Sequence, residues 1–235
     1  MRNISSRTDV PALKKRVFQI TKILKKLFPD PKIALNYSNN WQLLVAVELS
    51  AQCTDKKVNE VTAKLFKKYR TLDDYVKASR SPRTVREFEK DIHQCGFFRS
   101  KTRNILAAAK TVKEKFRGKL PKTMAEMVTV PGVGRKSANV ILGNAYGIVE
   151  GIAVDTHVKR LSKWLGLTKH SDPVKIERDL MEIVPKEDWF NITYLLIDYG
   201  RKYCPARAHD HLKKKCPLAA FYKSDAFVRL FIRKS

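Results

Sequence analysis

From Leu13 to Tyr199 the apolar residues return every three or four positions, segment after segment, and capping residues, prolines or glycines bound the segments. That period lines one face of a helix, and nowhere does it give way to the alternation that a half-buried strand requires. The expected fold class is therefore all-α. Leu13, Val17, Ile20, Leu24 and Leu27 follow Pro11 as an amphipathic helix, and Asn40 caps a second through Trp41, Leu44, Val45 and Leu49. Thr54 or Asp55 caps a third, Ser81-Pro82 opens another that stops at Gly96, and Ser100 caps a long one that closes at Gly118. Asp155 stands at the N-cap of a helix ending at Gly166, Ser171-Asp172-Pro173 begins the next, and a last one runs from Trp189 to just before Gly200. No repeat, heptad run or low-complexity tract interrupts the series.

One junction differs from the rest. Thr123 and Glu126 have capping-box spacing, so a short helix carries Met124, Met127 and Val128 inward and ends before Pro131. Gly132-Val133-Gly134 then turns the chain, and Arg135-Lys136 opens a new helix. Glycines let the backbone adopt angles other residues resist and approach a partner closely. Exposed amides of such a turn, with the first turn of a helix, form an anion site. For Gly-x-Gly alone an ordinary helical hairpin is the better reading. Two cations directly behind it, in a chain of 48 Lys plus Arg against 23 Asp plus Glu, favour nucleic acid.

A formal charge of +25 suits a polyanion, because unpartnered positive charge repels itself. Membrane surfaces are anionic too, but no apolar run approaches the ~20 residues that span a bilayer, and no lipidation signal is present. Residues 1–10 carry Arg2 and Arg7 without a signal-length apolar run, so neither secretion nor membrane anchoring is expected. The four cysteines, at 53, 95, 204 and 216, form no disulfide framework and point to a reducing compartment. Phe97-Phe98 beside Arg99 and Lys101 sits between two helices. At least one ring belongs to the core, and the other suits a wedge entering a base stack.

A lysine at a helix start in basic surroundings has its ammonium form disfavoured, and a neutral amine is a nucleophile that can form a Schiff base. Lys136 fits that description. Asp155, at the next helix start, offers a carboxylate that can shuttle a proton or stabilise positive charge on a sugar, although as an N-cap it could be structural only. Together they imply chemistry at a nucleotide.

Leu-Ser-Ala-Gln-Cys-Thr-Asp (49–55), Val-Pro-Gly-Val-Gly-Arg-Lys-Ser-Ala-Asn-Val (130–140) and Val-Asp-Thr-His (154–157) resemble the endonuclease III family of helix-hairpin-helix DNA glycosylases, in order and spacing from about residue 13 to about residue 204. The resemblance implies two helical domains with a DNA-binding cleft between them: a six-helix domain over 35–146 carrying the hairpin, and a second from 1–34 plus 147–235. It implies that Lys136 attacks the deoxyribose anomeric carbon, that Asp155 is the essential aspartate, and that β-elimination from the imine nicks the strand. Gln52 would fill the space left by a flipped nucleotide, and Phe97, where the family usually has leucine, would be a second wedge. Gly132, Val133, Gly134 and Arg135 would contact DNA. The expected partner is duplex DNA with oxidised pyrimidines or abasic sites, bound by a monomer in the cytoplasm, or the nucleus of a eukaryote.

The resemblance fails in one place. The family commonly holds a four-iron four-sulfur cluster on Cys-x6-Cys-x2-Cys-x5-Cys, and counting from Cys204 puts His211, Lys214 and Ala220 in the remaining slots. Such a cluster wants four thiolates. It is expected to be absent, with zinc on Cys204, His209, His211 and Cys216 as a weak alternative of unusual spacing. Leu218, Phe221, Tyr222, Phe227, Leu230 and Phe231 would fasten the tail instead. Two rivals remain: a non-catalytic helix-hairpin-helix DNA-binding protein, which would need no Lys136 with Asp155, and the adenine-mispair or purely base-excising branches, which Lys136 and the short tail disfavour.

Overall fold

The computed structural model describes residues 10–207 and 216–222. Eleven α-helices and short 3-10 turns make up the described residues, without a strand. In chain order they are α1 (Val10–Leu27), α2 (Asn40–Leu49), α3 (Asp55–Lys68), α4 (Leu72–Ala78), α5 (Pro82–Ile92), α6 (Phe98–Lys115), α7 (Met124–Met127), α8 (Arg135–Tyr146), α9 (Thr156–Trp164), α10 (Pro173–Ile183) and α11 (Trp189–Lys202). The chain forms two compact units, one of Ile33–Glu150 and one of the residues before and after it. These boundaries differ by a few residues from the expected 34/35 and 146/147, for a local reason. Asn59 holds the backbone of Ala34 and Asn36, while Ile148 N–H donates to Leu142 (3.2 Å) and Met124 N–H to the Glu150 carboxylate (3.3 Å). Both connecting stretches are thus tied to the middle unit.

In that unit α2 is the central element. Its residues from Gln42 to Leu49 are all buried, packed by α3, α6 and α8, which suits a helix apolar on every side. Trp41, Tyr69, Tyr75 of α4 and Phe88 of α5 form an aromatic cluster with centroids 5.1–5.7 Å apart, edge-to-face except for the tilted Tyr69–Tyr75 pair. The expected six helices correspond to α2–α6 and α8, with α7 a single added turn. Three local expectations shift. Asn39, not Asn40, caps α2 by accepting from Gln42 N–H (2.9 Å). Helix α6 begins at Phe98 rather than behind Ser100, because Phe97 turns left-handed (φ 46°) and starts the helix without a side-chain cap. Val128 points outward, 42% exposed, while Met124 and Met127 are buried.

In the other unit, α1 packs on α10 and α11, and α9 on the same two. Val17, Ile20 and Leu24 of α1 meet Leu161 of α9, Leu180 of α10 and Leu195 and Tyr199 of α11 in one core. Each such side chain stabilises the unit by ~1.5–3 kcal/mol. Helix α11 does not stop at Gly200 but continues to Lys202. Glycine serves here for packing, since a Cβ at 200 would lie 2.7 Å from the His157 ring on α9.

Candidate catalytic and DNA-binding site

The hairpin is built from unequal glycines. Gly132 has φ +82°, and a Cβ there would overlap the buried Glu48 carboxylate, so both backbone and space demand glycine. Gly134 is different. It caps α8 in ordinary extended conformation (φ −85°), and a Cβ would meet nothing within 4 Å, so the protein alone does not require glycine there. Val133 is buried at 4% exposure and its N–H donates to Val130 (3.0 Å). Its side chain and amide are therefore spent inside the turn, and the DNA contact expected of Val133 does not fit. Gly132, Gly134 and Arg135 are exposed, and among the described residues neither glycine amide has a hydrogen-bond partner. Lys136 is exposed in the first turn of α8.

Gln52 and Phe97 share an unusual property. Each is exposed, and each has a left-handed backbone, φ 52° and 46°, which costs a non-glycine residue about 1–3 kcal/mol. Phe97 is the exposed ring of the pair (66%), and Phe98 is half-buried.

Asp155 belongs to the other unit. It is the N-cap of α9: one carboxylate oxygen accepts from Val158 N–H (2.8 Å), and the other lies 3.1 Å from Nδ1 of His157. His157 in turn rests against Gly200. The carboxylate is thus held from two sides with 19% of its side chain still accessible.

Comparison with known proteins identifies the family. Residues 45–186 match the family described as HhH-GPD superfamily base excision DNA repair protein. The chain is 49% identical over 194 residues to endonuclease III of Synechocystis sp., covering 83% of this chain and 86% of that protein. Endonuclease III of Bacillus subtilis is 44% identical over 193 residues, covering 82% and 84%. The chain belongs to the endonuclease III family. A solved structure of a trapped endonuclease III–DNA covalent intermediate, at 40% identity, superposes with a TM-score of 0.82 over 91% of this chain and 97% of that one. A non-covalent endonuclease III–DNA complex gives 0.83 over 94% and 99%.

The cluster that the endonuclease III resemblance implies does not fit the residues described. Of the slots counted from Cys204, Ala220 offers no donor atom, while His211 and Lys214, like His209 of the zinc alternative, lie outside the described residues. Counted from Cys216, the last Cys-x5-Cys step lands on Tyr222. Its hydroxyl donates to the Cys204 sulfur (3.1 Å) and lies 3.2 Å from that of Tyr199, which accepts from Leu218 N–H (3.3 Å). The Cys216 thiol donates to the Tyr203 carbonyl (3.3 Å). Burial pushes the Cys204 thiol up to about 11, so the sulfur that accepts from Tyr222 is a neutral thiol. Among the described residues no group of three or more His, Cys, Asp or Glu is placed to hold a metal ion.

Sequence reasoning missed Glu48 and Lys101, both buried in the unit that carries the hairpin. A lone carboxylate in the apolar run Leu43–Leu49 and a lysine in the first turn of a helix were the available signals.

Proposed function

We infer that this chain is a base-excision-repair DNA glycosylase that also cuts the strand at abasic sites, acting as a monomer on duplex DNA with oxidised pyrimidines. The observation that carries the reading is the exposed Lys136 one residue into α8, directly behind two unengaged glycine amides. A phosphate held by those amides brings a deoxyribose to the amine. The neutral Lys136 nitrogen attacks the anomeric carbon, the bond to the base breaks, and the base leaves with a proton. Opening of the sugar ring gives a protonated imine. Loss of a C2′ proton then expels the 3′ phosphate and nicks the strand. Asp155 stabilises positive charge on the sugar and moves a proton; Gln52 and Phe97 occupy the stack that the damaged nucleotide leaves. The chain works without an iron–sulfur cluster, the tail being fastened by its own side chains.

Borohydride with abasic-site duplex tests the chemistry. The wild-type protein is expected to give a covalent adduct, and Lys136→Ala to lose adduct, base release and nicking while binding DNA, since it removes one charge of many. Strand cutting retained by the variant would refute the assignment. A wild-type protein that binds but never traps would be the architectural protein.

A further inference from the structure

Lys101 is 5% exposed and sits in the first turn of α6, where the helix dipole disfavours a cation. Burial lowers its proton affinity further. Its surroundings explain why it is kept. The amino group donates to the Leu49 carbonyl (2.8 Å), the last residue of α2, and to the Cys95 carbonyl (2.6 Å). Leu49 leads directly into the loop that carries Gln52, and Cys95 into the turn that carries Phe97. The two carbonyls belong to helix ends that leave such groups orphaned. One further contact crosses the same gap, Lys57 reaching Gln94 (3.4 Å), and the Cys53 thiol is near enough to add to the burial that raises the Cys95 thiol.

We propose that Lys101 is a positioning residue for base excision: it ties the Gln52 loop to the Phe97 turn so that both left-handed tips enter the DNA as one rigid pair. The inference rests on the reading of Gln52 and Phe97 as DNA contacts given above. A left-handed backbone persists only where its surroundings over-determine it. Here one lysine fixes the residue preceding the first loop and the residue preceding the second turn. Glu48, which underlies Gly132 of the hairpin, feels the Lys101 charge. Lys101 itself is covered by protein and touches no substrate.

The test is a mutant cycle on the full chain, with a duplex carrying one thymine glycol and 2-aminopurine in the adjoining pair. Lys101→Met is expected to slow excision ~10- to 100-fold, the scale of a small misplacement of reacting groups, and to weaken the 2-aminopurine brightening that reports unstacking. Gln52→Ala with Phe97→Ala should do the same. Adding Lys101→Met to that pair should change the rate by less than ~2-fold, because coupled groups are non-additive. Losses that multiply, or wild-type excision by Lys101→Met beside a slow loop pair, would overturn the proposal alone. Wild-type excision by the loop pair would overturn the contact reading and the proposal with it. Since Lys101→Met removes a positive charge that eases the buried Glu48 carboxylate, Glu48→Gln with Lys101→Met is the companion variant. It should melt closer to wild type yet remain as slow as Lys101→Met. If both variants unfold, Lys101 serves the stability of the unit and not its loops.

Discussion

The hairpin edge of one unit and the tail contact of the other handle polar groups in opposite ways. At the hairpin, two glycine amides face solvent, Glu48 keeps a buried oxygen without a partner, and Gln52 and Phe97 hold left-handed backbones. At the tail, Cys204, Tyr222, Tyr199 and Cys216 satisfy one another and the backbone, and Arg16 donates to the Phe221 and Leu165 carbonyls. Unmet groups and strain cost stability and persist where a ligand completes them. Met groups need no ligand. The contrast separates the part of the chain that awaits DNA from the part whose described polar side chains are already engaged with protein.

Asp155 strains this division most, because as a cap it is satisfied while the role proposed for it requires an accessible carboxylate. Asp155→Asn keeps an oxygen for Val158 N–H, so melting should be nearly unchanged while turnover falls ~100-fold or more. Single-turnover excision beside thermal melting checks this. Wild-type rates would leave Asp155 a cap and move it to the satisfied side.

The two glycines sharpen the hairpin side. Gly132→Ala meets both a left-handed φ and the Glu48 carboxylate, and should cost about 3 kcal/mol or more in denaturant unfolding. Gly134→Ala meets neither and should leave stability within about 1 kcal/mol while weakening DNA affinity, since only a bound phosphate would feel its Cβ. Equal stability losses in the two would make the turn an ordinary hairpin.

Glu48 measures the cost stored beneath that turn. Burial raises its carboxyl from 4.5 to about 7, with Lys101 pulling the other way. The folded state therefore holds a proton that the unfolded state releases, and stability should fall as pH rises from 4.5 to about 7, then level off. Glu48→Gln removes that slope and should be the more stable protein at pH 8 by up to about 3 kcal/mol. Parallel pH profiles for the two proteins would show that Glu48 is not a strained group.

The helical class, the caps at Thr54, Ser81, Asp155 and Asp172, and the hairpin turn were legible because each depends on local spacing and side-chain chemistry. The start of α6 was not, since it depends on the left-handed turn at Phe97, which no capping residue marks. Gly200 read as a helix stop because a glycine needed for contact with α9 looks the same in one dimension as a C-cap. Val133 read as part of a phosphate loop, and only its burial shows that the residue between the glycines anchors the turn. Lys101 and Glu48 left only an oddity of placement in the sequence, because their neighbours in the fold are distant along the chain, Leu49 lying 52 residues before Lys101.

The tail provides the smallest effect and the direct test of its own side of the contrast. Tyr222→Phe deletes one hydroxyl that joins Tyr199 to Cys204 and leaves the ring, 7% exposed, in the core. Net hydrogen-bond values put the loss at about 1 kcal/mol, more where a buried partner is stranded. Excision should be unaffected, because the hydroxyl serves packing. Elemental analysis of protein prepared without oxygen or chelator should show no stoichiometric iron in either form. A cluster would reverse both results: Tyr222→Phe would be silent in melting, and iron would be bound, with its removal destabilising the C-terminal third. A tail that contains neither iron nor a measurable contribution from Tyr222 would have to be fastened by apolar contact alone, through Leu218, which is fully buried, and Phe221, which packs against the same core.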